Sequence, residues 1–86
     1  MKNEMQKENG KMKEVFQSMI DKWPSAFVAR TEVEKFTGGA MKEKYQANLD
    51  RCGKGPEGRI RCGRKRLYPT NEYVKWLSKR STAISE

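Results

Sequence analysis

The chain has 86 residues with 35% hydrophobic residues and a mean hydropathy of −1.02. That composition allows one small domain with a small core and leaves part of the chain expected to be unstructured. Nineteen Lys and Arg against eleven Asp and Glu give a net charge of +8, which selects an acidic partner, nucleic acid first. No apolar run reaches the length of a signal peptide or a membrane span, so a cytoplasmic protein without a membrane partner is expected.

The chemistry of the residues narrows the field further. Histidine is absent, and no Gly-x-x-x-x-Gly-Lys-[Ser/Thr] loop occurs, so an enzyme is not expected. Cys52 and Cys62 are the only cysteines; two thiols without imidazole do not make a four-ligand zinc site, and no metal or cofactor is expected. A reducing compartment also disfavours a disulfide, which leaves a core position for Cys62 and a helix end for Cys52.

In chain order, residues 1–10 lack an apolar period and end at Gly10, so an unstructured N-terminus is expected there. An N-terminal amphipathic helix is expected over 11–24. Met12, Val15, Phe16, Met19, Ile20 and Trp23 form its stripe, and Pro24 stops it. That stripe either packs on the domain or serves self-association or an integrase-type protein partner through residues 12–23. Phe27-Val28-Ala29 reads as a brief strand or an anchoring segment. Thr31-Glu32-Val33-Glu34 has the form of a capping box, opening a short helix that buries Val33 and Phe36 and ends at Gly38-Gly39.

A second helix is expected from Met41 to Cys52, with Met41, Tyr45, Leu49 and Cys52 inward and Gly53 at its C-terminal turn. Arg59 to Pro69 then alternates like a half-buried strand, breaks at Gly63 and returns. A two-residue Gly63-Arg64 turn places Leu67 inward with Ile60 and Cys62, whereas a three-residue loop places Tyr68 inward instead. Thr70 is expected to cap a last helix carrying Tyr73, Val74 and Leu77, and residues 81–86 to be unstructured. The predicted core is Val33, Phe36, Tyr45, Leu49, Ile60, Cys62, Tyr73 and Leu77.

The positive charge is not spread evenly: residues 51–69 carry seven bases and one acid. Two short helices, a basic hairpin and a helix follow the order of a winged helix-turn-helix. The expected fold is therefore mainly α with a small β-hairpin, a winged helix-turn-helix over 25–80 behind an additional N-terminal helix. The span from about Phe27 to Arg80 resembles the small excisionase and prophage-regulator group, related to the MerR-type winged helix. The resemblance rests on Thr31-Glu32-Val33, on Gly53 followed by Pro56, on Arg61-Cys62-Gly63-Arg64, and on Pro69 through Tyr73 to Trp76-Leu77. The turn Thr37-Gly38-Gly39-Ala40 is longer than that group's usual tight one, and residues 12–23 lie outside the resemblance.

The resemblance implies double-stranded DNA binding, the second helix in the major groove and the wing on the backbone or minor groove. It fits DNA recombination (an excisionase) and transcription regulation alike. Long polar side chains on the second helix are the candidates for reading bases: Lys44, Gln46, Asn48 and Arg51, with Lys42 nearer the backbone. Arg59, Arg61, Arg64, Lys65 and Arg66 are the wing candidates for phosphate. Glu43 and Asp50 on the same helix oppose phosphate attraction. The alternatives are a small basic adaptor for an acidic protein, or a module for RNA or single strands.

Overall fold

The computed structural model describes residues 2–84. Its elements are α1 (Lys2–Lys22), β1 (Phe27–Ala29), a 3₁₀ turn (Arg30–Glu32), α2 (Val33–Phe36), α3 (Glu43–Arg51), β2 (Ile60–Cys62), β3 (Lys65–Pro69) and α4 (Thr70–Lys79). The strands form one antiparallel sheet in the order β1-β3-β2. Among the described residues no helix is long and apolar enough to cross a membrane.

Helix α1 begins at Lys2, so residues 2–10, expected to be unstructured, continue it. Apart from Asn3, Asn9 and Gly10 those positions hold good helix formers, and the helix extends from a packed C-terminal half instead of having to nucleate alone. Phe16, Met19, Ile20 and Trp23 pack against the core, while Val15 from the same predicted stripe is 60% exposed. Residues 81–84 are neither helix nor strand; Met1 and residues 85–86 lie outside the described residues.

Two glycine turns set the length of the short helices. Gly38 and Gly39 take φ of 65° and 93°, and their N–H groups return to Lys35 O and Glu34 O. Gly53, at φ 75°, does the same for α3, donating to Asp50 O while Lys54 N donates to Leu49 O. Thr37 joins the two helices: its Oγ1 donates to Val33 O at 2.8 Å and accepts from Met41 N at 3.0 Å. The capping box is not formed. Thr31 lies inside the 3₁₀ turn, and α2 starts at Val33 without a side-chain cap. Thr70 caps nothing either; its Oγ1 donates to Ser25 O at 3.0 Å and its N–H to Ala26 O, tying α4 to the segment between α1 and β1.

The hairpin turns through Gly63-Arg64, with Ile60 opposite Leu67, Arg61 opposite Arg66 and Cys62 opposite Lys65. Gly63 sits at φ 62° as that turn requires. The two-residue turn is thus present, but the face is the reverse of the one predicted for it. Tyr68 is fully buried opposite Val28, and the Ile60–Leu67 pair points away from the core. The pairing with β1, not the hairpin itself, decides this. Val28 and Tyr68 share the inner face, and period 2 sends Leu67 outward.

The core is Val28, Val33, Phe36, Met41, Tyr68, Tyr73, Val74 and Leu77. Val33, Phe36, Tyr73 and Leu77 were expected, and Leu49 packs against them half-buried. Tyr45, Ile60 and Cys62 are exposed instead. Aromatic rings form its spine: Trp23 meets Phe36 edge-on at 4.9 Å, Phe36 meets Tyr73 at 5.9 Å, and Tyr73 lies 5.3 Å from both Tyr68 and Trp76. Phe36→Ala should cost about 3–5 kcal/mol. Ile60→Ala should cost at most about 1 kcal/mol. Urea unfolding of the two variants checks the assignment, and equal losses would contradict it.

Candidate nucleic-acid interface

Helix α3 is tied to the 3₁₀ turn, β3 and α4 through polar residues. Gln46 is fully buried; its Oε1 accepts from Tyr73 OH at 2.7 Å and its Nε2 donates to Asp50 Oδ1 at 3.1 Å. The Asp50 side chain is 6% exposed and pairs with Arg30 at 2.7 Å and with Arg59 at 3.8 Å. Tyr68 OH also donates to Asp50, and Arg30 Nε donates to the Tyr68 oxygen at 3.0 Å. Among the described residues no buried side-chain polar atom lacks a partner, so the network is complete and holds α3 in one orientation. A Cβ at Gly55 would run into the Asp50 carboxylate, so the loop after α3 closes over the same group.

Burial, reinforced by the hydrogen bond to Asp50, pushes the Tyr68 phenol up to about 12. Burial likewise raises Tyr73. For Arg30, burial acts downward, but the hydrogen bonds to Tyr68 and Asp50 outweigh it and the guanidinium ends above its ordinary value. It stays charged throughout.

With Gln46 and Asp50 turned inward, the opposite side of α3 carries Lys44, Asn48 and Arg51, all exposed to solvent in whole or in part. Arg51 Nη1 donates to Asn48 Oδ1 at 3.3 Å. Lys42, just ahead of the helix, is exposed and pairs with Glu34 at 2.8 Å. Gln46, predicted to read bases, is instead core. The predicted stripe through Met41, Tyr45, Leu49 and Cys52 is rotated from the true one, because the inward positions 46 and 50 are polar. The i, i+4 Gln46–Asp50 pair and two tyrosines needing partners for buried hydroxyls are the signals the sequence offers.

The hairpin and α3 face the same way. One open cleft of about 330 Å³ is lined by Arg30, Ala47, Asp50, Arg51, Arg59 and Arg66. A neighbouring cleft of about 280 Å³ is lined by Arg30, Thr31, Glu43, Arg64, Lys65 and Arg66. Arg30 and Arg66 border both, so the hairpin tip, the 3₁₀ turn and the C-terminal turn of α3 make one continuous basic strip. Arg61, on β2 opposite Arg66, is exposed at its margin. Arg30 was not predicted for this surface; it stands outside both motifs in sequence.

Away from this strip, Tyr45 is 49% exposed, and its hydroxyl accepts from Arg80 Nη2 at 3.2 Å. The Arg80 guanidinium also lies 5.0 Å over the Trp76 ring, and Trp76 Nε1 donates to Lys54 O at 2.8 Å. The Arg80 contacts join the end of α4 to Tyr45 on α3, and the Trp76 bond ties α4 to the loop that follows α3.

Gln46→Ala leaves the Tyr73 hydroxyl without its acceptor and should destabilise by about 1–3 kcal/mol for each polar group stranded. Urea unfolding measures this loss, and a surface-like effect near zero would contradict the buried position. A pH series tests the phenols. Both folded-state values are raised, so the stabilisation is complete below the ordinary tyrosine value of 10.0, and the Tyr68 part is lost as pH climbs through about 12. The urea midpoint should fall across that window, and less steeply in Tyr68→Phe.

Comparison with protein-family models, curated proteins and solved structures gives no match for this chain.

Proposed function

We propose that the chain binds double-stranded DNA as a winged helix-turn-helix, with α3 in the major groove and the β2–β3 hairpin as the wing on the backbone. The observation that carries this reading is that Arg51 of α3 and the basic hairpin border one cleft, while Asp50, one of the two acids of α3, is turned inward and neutralised and Glu43 alone stays exposed, at the edge of the second cleft. In this reading Lys44 and Asn48 meet base edges, and Arg51, in the last turn of α3, stands where the groove meets the backbone. Arg59, Arg61, Arg64, Lys65 and Arg66 take phosphates, and Arg30 joins them. Lys42 stands at the start of α3, where a backbone contact would fall.

The excisionase and prophage-regulator resemblance supports the same module, and with it a cytoplasmic role in recombination or transcription control. The reading needs no catalytic residue and no cofactor.

Phosphate binding and base reading separate by experiment. Arg64→Ala with Lys65→Ala should weaken binding to every duplex about equally and reduce the slope of log K against log salt by about 0.9 for each phosphate no longer neutralised. Asn48→Ala should cost about 1–3 kcal/mol on a site selected from a random library and little on random duplex. Gel shifts at two salt concentrations read both effects. Wild-type preference for single strands over duplex would replace this reading with the single-strand one. Absence of any nucleic-acid binding would favour an acidic protein partner.

A further inference from the structure

We propose that the cleft walled by Arg30, Arg51, Arg59 and Arg66 is a built seat for one oxyanion, a phosphodiester of the duplex backbone beside the groove that α3 enters. The proposal rests on the DNA reading above and names the one phosphate that fixes how the helix sits.

Charge in the cleft is out of balance. Four guanidiniums line it with a single carboxylate, Asp50. That carboxylate is already saturated: Arg30 and Tyr68 occupy Oδ2, and Gln46 and Arg59 approach Oδ1. Among the described residues, Arg51 and Arg66 have no carboxylate within ion-pair distance.

Arg66 is also placed directly across the ladder from Arg61, and like charges in that position destabilise a sheet. The C-terminal end of α3 contributes only a partial negative charge toward the balance. A cleft of about 330 Å³ has room for a phosphate group, about ten times the share of liquid volume held by one water. Planar guanidinium forks are the donors that match its oxygens.

The seat is also located where it matters. Arg51 belongs both to the cleft and to the exposed side of α3, while Arg59 precedes β2 and Arg66 lies on β3. A phosphate held there bridges the last turn of α3 to the base of the wing and sets the depth at which Lys44 and Asn48 enter the groove.

The test uses Arg66→Gln, which removes a half-exposed cation outside the Asp50 network and replaces it with a shorter neutral amide. Melting temperatures are compared in sulfate and in chloride at equal ionic strength, with Lys79→Gln, remote from the cleft, as a control for the general stabilising action of sulfate. In chloride, Arg66→Gln should melt at or above the wild type, because a like-charge pair has been relieved. The sulfate-specific gain should be present in the wild type and in Lys79→Gln and largely absent in Arg66→Gln. On random duplex, Arg66→Gln should bind about tenfold more weakly at low salt, with the salt slope reduced by about 0.9.

Equal sulfate gains in all three proteins would overturn the seat, as would an unchanged salt slope in a variant that folds normally. If the wild type binds no duplex, the DNA reading falls by itself. A sulfate gain absent only in Arg66→Gln would then keep the oxyanion seat and assign it to a free phosphate compound.

Discussion

The Asp50 carboxylate is the point on which the rest of the molecule depends. It receives Arg30 from the 3₁₀ turn, Tyr68 from the central strand, Gln46 from its own helix and Arg59 from the approach to the hairpin. Helix α3 has little apolar surface with which to hold itself in place; Leu49 alone is half-buried against the core. A charge-centred network fixes its rotation more sharply than apolar packing of that size could. Every member must therefore be present, because a buried acid stripped of one partner strands the others. The loop at Gly55 presses close to the same carboxylate.

That rotation has an electrostatic consequence. Turning Asp50 inward removes one of the two acids of α3 from the surface, Glu43 remaining exposed, and commits Arg30 and, in part, Arg59 to neutralising it. Arg51, Arg64, Lys65 and Arg66 are left to face solvent or the two clefts. The basic strip is therefore as much a product of where the negative charge is hidden as of how many bases the chain contains. Helix α1 supports the arrangement from behind, through Phe16, Met19 and Ile20, and the segment after it adds Trp23 on Phe36 and Ser25 and Ala26 on Thr70.

Much of the element order is legible from local chemistry. Gly38-Gly39 and Gly53 announce helix ends because they accept positive φ, and Gly63-Arg64 defines a two-residue turn for the same reason. Val33, Phe36, Tyr73 and Leu77 stand at helical spacings that the folded core uses. The features that escape a local reading are long-range. Which side of the hairpin is buried depends on the distant partner strand β1, whose Val28 stands opposite Tyr68. Gln46 resembles a base-reading side chain because a buried amide and an exposed one are identical until the phenol that satisfies it is in place. Arg30 belongs to the basic strip only through tertiary structure, and Ile60 and Cys62 face outward because they pair with Leu67 and Lys65, the β3 positions that alternate with the inward Tyr68.

Amide chemical-shift mapping of the labelled protein against a random-sequence DNA duplex asks directly whether the face oriented by Asp50 is the nucleic-acid surface. The largest changes should fall at Arg30, Lys44, Asn48, Arg51, Arg59, Arg64 and Arg66, with Val15, Ser18 and Lys22 on α1 unmoved. Changes concentrated on α1, with α3 and the hairpin silent, would contradict it.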